Sequence, residues 1–319
     1  MPVLQLKERH EAARASRGLP PVFLVGPARS GTSLVYKTLC LHPDVAYISN
    51  WVARFPRAPR LAVLNRLGGR FDKTRHLAWF GKDSNAYVYG RERGLVTRLF
   101  PAPVEGEPVY TSCGITLPGA GAPQRQAEPE DGGQRSLRHV FTKVRSAAGA
   151  SVVVNKRIGN NRRIEFLAAA FPGARFVSIV RDGRAVALSL SQVDWWEKSF
   201  LPWYGGTPAQ WAAEGNDPWE ACARNWVEDL RDVEEGLAQV HDAQVLRLSY
   251  EAFVETPMTC LDRIAAFADL PSSRGWQDSL ARLSFPNKNG KWRENLDSNA
   301  IAAITAVQRA QLEAYGYDV

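Results

Sequence analysis

Cysteine is scarce here, four in 319 residues, and the four stand far apart. Cys40, Cys113, Cys222 and Cys260 form no C-x-x-C pair and have no histidine at metal-ligand spacing, which argues against a zinc site and a disulfide framework. They read as small buried hydrophobes of a reducing compartment. A long apolar run is missing too. Met1 to Gly18 is charged throughout, so it offers neither a secretory core nor a membrane span, and a cytoplasmic location is expected. Internal repeats and clear linkers are absent. With 45% hydrophobic residues the chain is neither disordered nor a peptide-sized scaffold, and it is long enough to bury a sizeable core. Acidic residues are in deficit: 40 Lys and Arg against 33 Asp and Glu leave a net charge of +7. An anionic partner is therefore expected, although charge alone does not choose among nucleotide, sulfate ester, nucleic acid and membrane surface.

What is present is an alternation of strand and helix. Val22 to Val25, between Pro20-Pro21 and Gly26-Pro27, reads as a short buried strand. After Gly31, apolar residues recur at helical spacing from Leu34 to Leu41 until Pro43 stops the helix. Val45 to Ile48, Val152 to Val154, Arg175 to Val180 and Val245 to Leu248 read as further strands. Helices are expected at Leu137 to Val144, Arg163 to Phe171, after Asp182-Gly183, and over Pro218 to Val240, Met258 to Ala268 and Ile301 to Tyr315. This order predicts an α/β fold, a parallel β-sheet flanked by helices, in a single domain over 1–319. Residues 51–135 break the pattern and read as an irregular insertion, with Pro118 to Gln134 a loop or mobile lid.

Three segments carry chemistry. Gly26-Pro27-Ala28-Arg29-Ser30-Gly31-Thr32-Ser33 has the spacing of a phosphate-binding loop, whose backbone N–H groups at a helix start point at an anion. A nucleoside triphosphatase has lysine after the second glycine; this chain has Thr32, and its cation sits inside the loop as Arg29. The competing reading is a plain strand-to-helix turn. Next, Arg181 closes the strand Phe176 to Val180, with Ser189 about two turns into the following helix. Both suit one phosphate; alternatively Asp182 is an N-cap and Arg181 a surface ion-pair partner. Last, Asn155-Lys156-Arg157 puts another cation at a strand's carboxyl end, where a solvated lysine is the ordinary alternative.

In this order the segments resemble the sulfotransferases that use 3′-phosphoadenosine 5′-phosphosulfate (PAPS), the bacterial branch and the related tyrosylprotein and carbohydrate enzymes in particular. Pro27 to Ser33 is similar to the family's loop for the 5′-phosphosulfate, and His42-Pro43 to the pair that ends its helix. Phe176 to Ser189 resembles the 3′-phosphate motif, Val245 to Glu251 the strand that ends beside the adenine at Tyr250, and Asn289 to Arg293 the segment that folds over the 3′-phosphate. The resemblance covers most of the chain outside 51–135 and implies a P-loop-like sulfotransferase fold. It also implies PAPS as co-substrate with Arg29 and Lys156 catalytic. The nucleotide would be held by Arg29, Ser30, Gly31, Thr32, Ser33, Arg181, Ser189, Tyr250, Lys291, Trp292 and Arg293. No metal is expected, since the transferred sulfuryl group carries less charge than a phosphoryl group and needs little metal help.

The chain departs from the family at the general base. The two usual positions hold Ser49-Asn50 and Ile158. Substitute candidates are Asp72, His76, Asp83, Asp194 and Glu197, each of which also reads as an ordinary solvated or capping residue; otherwise the acceptor is acidic enough to need little help. Trp195, Trp196, Trp203 and Tyr204 read either as an aromatic wall for the acceptor or as anchors of their loop, whereas Trp219 and Trp226 read as core. The expected acceptor is a small molecule, glycan or lipid. Two other classes fit the sequence less well. A P-loop kinase using ATP and magnesium lacks its loop lysine, and a nucleic-acid binder would have to use the arginine-rich stretch Arg54 to Arg70, which matches no known binding module.

Overall fold

The computed structural model describes residues 18–81, 99–115 and 131–319. Five parallel strands form one sheet in the order β2-β3-β1-β4-β5. They are β1 (Val22–Val25), β2 (Val45–Ala46), β3 (Val152–Lys156), β4 (Arg175–Val180) and β5 (Val245–Ser249). Central β1 pairs with β3 on one side and β4 on the other. Parallel strands buried on both faces read as continuous apolar runs, and their period of two divides them between two cores. Val22 and Leu24 face one core with Val152, Val154, Val177 and Ile179. Phe23 and Val25 face the other with Val153 and Phe176.

The flanking helices are α1 (Thr32–Leu39), α2 (Asp131–Ala148), α3 (Ile164–Ala170), α4 (Gly183–Ser191), α5 (Pro218–Leu237), α6 (Tyr250–Glu255), α7 (Pro257–Phe267) and α8 (Ser298–Ala314). A third core joins α4, α5 and α8 around Val186, Leu190, Trp226, Leu230 and Ile304. All four cysteines are free and buried, as a small-hydrophobe role predicts. Among the described residues no helix is long and apolar enough to cross a membrane.

The stretch expected to be irregular is largely helical where it is described, residues 100–106 excepted. Asn50–Arg54, Pro59–Asn65, Arg66–Arg70, Asp72–Phe80 and Glu107–Ser112 are short helical turns. They are too short for an 11- to 18-residue periodicity window to register. The loop expected over Pro118 to Gln134 also changes: residues 116–130 lie outside the described chain, but 131–134 already belong to α2. Glycine 132 and 133 suggested a loop, yet the Leu137, Val140, Phe141 and Val144 face, buried against the sheet, carries the helix.

Candidate active site

The site is built along the carboxyl edge of the sheet, where open α/β folds bind their ligands. The turn after β1 is fixed by its own geometry. Gly26 has φ +141 and a Cβ there would stand 2.2 Å from the Ile179 carbonyl oxygen, so only glycine fits. Asn161 holds the same residue on both sides, accepting from its N–H at 3.1 Å and donating to its carbonyl at 2.9 Å. Ala28 N–H donates to Asp229 Oδ2 at 3.1 Å. Burial pushes the Asp229 carboxyl up to about 6, against the opposing pull of Arg162 and of that hydrogen bond.

Arg29 follows in the left-handed region at φ 66. Its Nε donates to Ser189 Oγ at 3.0 Å, joining the loop to α4. Ser30 is fully buried, and its Oγ has no partner among the described residues. Gly31 caps α1 at φ 89 without a side-chain hydrogen bond. The first N–H groups of α1 thus have no side-chain cap from Gly31, the arrangement that suits an anion.

Arg181 is 7% exposed and is not a surface ion-pair partner. Its guanidinium donates to Asn289 Oδ1 at 3.0 Å and to the carbonyls of Arg29 and Lys288, both at 3.2 Å, and it lies 4.4 Å from the Tyr250 ring centroid. The capping half of that alternative holds, since Asp182 accepts from Arg184 N–H at 2.9 Å. Tyr250, buried at the end of β5, in turn closes over Gly31, where a Cβ would come within 2.6 Å of its ring. Around this cluster the Lys288 ammonium is pushed below its ordinary range by burial and then by Lys291, Arg181 and Arg29. Like charges crowded this closely favour an anion between them.

Other expected residues take different places. Lys291 and Arg293 are exposed, and Trp292 is buried with Arg184 and Arg293 guanidinium groups 4.3 and 4.4 Å from its ring centroid. The indole is thus committed to packing, and Lys288 and Asn289 make the segment's contacts with Arg181. Lys156, 4% exposed, is not solvated: its Nζ donates to Glu105 Oε1. Arg29, Gly31, Thr32, Ser33, Lys156, Arg181, Ser189 and Tyr250 line one cavity of about 1020 Å³, with Glu105, Ile158, Asp194 and Trp195 on its remaining wall.

The base candidates separate. Asp72 lines a different cavity of about 550 Å³ and bonds Arg75 and Arg282, which, despite burial that works the other way, hold its carboxyl below the ordinary range. His76 packs against Phe80, 5.3 Å between ring centroids, and burial lowers its basicity. Glu197 is exposed, and Asp83 lies outside the described residues. Asp194 is the expected candidate that reaches the cavity. Glu105 was missed. Its only sequence signal is the acidic pair Glu105 and Glu107 around Gly106, which meets Lys156 and Arg157 one for one. Of the expected aromatic wall, Trp195 lines this cavity and, with Trp196, an adjoining one of about 440 Å³ that also reaches Glu105, while Trp203 and Tyr204 pack on Trp211 with ring centroids 5.4 and 5.2 Å away. Trp226 is core, and Trp219 is partly buried against it.

A family model described as the sulfotransferase family matches residues 20–274. No curated protein matches the sequence. Among solved structures, the sulfotransferase STF9 from Mycobacterium avium superposes with a TM-score of 0.53 at 15% identity, covering 97% of this chain and 81% of that one. A sulfotransferase domain from the curacin biosynthetic pathway gives 0.49 at 14% identity, over 95% and 99% of the two chains. The sulfotransferase STF1 from Mycobacterium tuberculosis H37Rv gives 0.48 at 16%, over 96% and 80%. The first superposition shows a shared fold.

Proposed function

The chain belongs to the sulfotransferase family, and from that premise we propose that it moves a sulfuryl group from PAPS to a hydroxyl of a small molecule, glycan or lipid. The observation that carries the donor is the convergence of Arg29 and Arg181 on one cavity, tied together through Ser189 and the Arg29 carbonyl, with Lys288 held beside Arg181 by its carbonyl. A doubly phosphorylated nucleotide suits that cradle: Ser30 Oγ is buried with no partner among the described residues, and the absence of a Cβ on Gly31 lets the Tyr250 ring stand against the loop as a wall of the same cavity.

In this reading each residue has a physical task. The uncapped start of α1, with Ser30, Thr32 and Ser33, binds the 5′ end through backbone and hydroxyl donors. Arg29, fixed by Ser189, supplies the cation where negative charge grows on the bridging oxygen, so it favours the transition state over the ground state. Lys156 supplies a second positive group at the end of β3. Arg181 and Ser189 recognise the 3′-phosphate, Lys288 and Lys291 add positive potential, and Tyr250 forms the wall toward the base. Glu105 and Trp195 border the acceptor side. Nothing in the site favours a kinase, since the loop position that grips a triphosphate is Thr32.

The test is transfer of label from sulfur-labelled PAPS to a panel of phenols, sugars and lipid alcohols. Labelled ester with release of adenosine 3′,5′-bisphosphate is expected from at least one class. Transfer of a γ-phosphoryl group from ATP, with no sulfuryl transfer, would overturn the reading.

A further inference from the structure

Glu105 is delivered to the cavity by a segment that the sequence pattern did not reveal. Asn50 accepts from Ala102 N–H at 3.0 Å and donates to the Phe100 carbonyl at 3.3 Å, while Val104 N–H donates to the Ile48 carbonyl at 3.0 Å. The chain from Phe100 to Val104 is therefore laid against residues 48–50, just after β2. Gly106 then turns at φ 81, with no room for a Cβ beside Ile48 Cγ2 at 2.8 Å. The Glu105 carbonyl accepts from Asn155 Nδ2 at 3.2 Å, so its backbone is pinned to β3. On the other side of the turn Glu107 grips Arg157, Nη2 to Oε1 at 2.6 Å.

The side chain is held as firmly. Lys156 Nζ donates to Oε1, and Ile158 N–H donates to Oε2 at 3.3 Å. A carboxylate accepts at about four lone-pair positions, and these two bonds leave others open. The Glu105 side chain is 46% exposed and lines the cavity with Arg29 and Lys156. Asn50 and Ile158, which stand where a base was expected, are instead the residues that bring in and hold this carboxylate. Asp194 shares the cavity, but from the exposed turn after α4.

We propose that Glu105 is the general base of the transfer, taking the proton of the acceptor hydroxyl. The inference rests on the sulfotransferase reading above. In the step, the acceptor oxygen bonds to sulfur and the bond from sulfur to the 5′-phosphate oxygen breaks, its electron pair staying on that phosphate. The acceptor proton passes to a Glu105 oxygen and then to water. Lys156 and the Ile158 N–H orient the carboxylate by occupying one lone pair on each oxygen.

The test compares wild type, Glu105→Gln and Glu105→Asp on two acceptors: the best hydroxyl compound from the labelled-PAPS panel and a fluorinated analogue with a more acidic hydroxyl. Glu105→Gln is expected to lose about 10²- to 10⁴-fold in turnover on the parent acceptor and at least about tenfold less on the acidic analogue. Glu105→Asp should fall between, and affinity for adenosine 3′,5′-bisphosphate should stay within about threefold in both variants. Glu105→Gln turnover near wild type, or an equal loss on both acceptors, would overturn the proposal, the latter marking a purely structural carboxylate. If Glu105→Gln does not fold, Glu105→Asp decides by the same comparison. A wild type that transfers to no acceptor would fail the sulfotransferase reading itself, and the proposal with it.

Discussion

Arg29 occupies a left-handed backbone, φ 66, that costs a residue with a Cβ about 1–2 kcal/mol. Such strain persists where the surroundings over-determine it, and here Ser189 and Arg181 hold the residue from side chain and carbonyl. Arg29→Gly relieves the backbone while deleting the cation. Its melting temperature is expected to equal or exceed wild type, while sulfuryl-transfer turnover falls by about 10²- to 10³-fold. Preserved turnover would show that the loop cation is not used. Arg181→Ala belongs to a different task. Removing charge-assisted contacts worth about 1.5–3 kcal/mol should weaken adenosine 3′,5′-bisphosphate binding roughly tenfold or more in calorimetry, with a smaller change for a nucleotide lacking the 3′-phosphate.

Two elements set the site from behind. The turn at Gly106 carries Glu105, so Gly106→Ala, strained at positive φ and crowded by Ile48, should displace the segment. It is expected to lower transfer by about tenfold or more while leaving donor affinity nearly unchanged, because the residues assigned to the donor lie in the loop after β1, at the start of α1, just after β4, on α4 and at the start of α6. Helix α5 supplies Asp229 to the loop after β1. Its folded-state value of about 6 exceeds the ordinary carboxylate value of 3.8. Between those values the folded protein binds the extra proton, so this group's contribution to stability is greatest at low pH and is lost as pH rises through about 6. Melting of wild type relative to Asp229→Asn should therefore worsen from about pH 4 to about pH 7, and a pH-independent difference would refute that account.

Strands β1, β3 and β4 and the loop at Gly26 to Ser33 were legible because local signals agree there: all-apolar runs, turn glycines and helical spacing. The same holds for Arg181 and Ser189, whose spacing on one strand and helix brings both to Arg29. Glu105 was not legible, because its position depends on pairing between Asn50 and Ala102 that no local period encodes. Lys288 was hidden for a similar reason. Its neighbours Lys291 and Arg293 carry the motif, yet the chain geometry turns Lys288 and Asn289 toward Arg181. Nor did the pattern of short helical turns between 50 and 81 rise above the background, since each turn is stabilised by packing rather than by its own length.

Across the whole molecule, a diffuse surplus of +7 becomes a placed one. Cations from the β1 loop, the end of β4 and the segment before α8 meet at one edge of the sheet, and Glu105 lines the same cavity as Arg29 and Arg181. The central claim is that this edge holds both phosphates of a single nucleotide. Isothermal titration with adenosine 3′,5′-bisphosphate, adenosine 5′-monophosphate and ATP with magnesium tests it most directly. The bisphosphate is expected to bind at least about tenfold more tightly than either of the others, one extra charge-assisted phosphate site being worth about 1.5–3 kcal/mol. Tighter binding of ATP with magnesium, or a bisphosphate no better than the monophosphate, would contradict it.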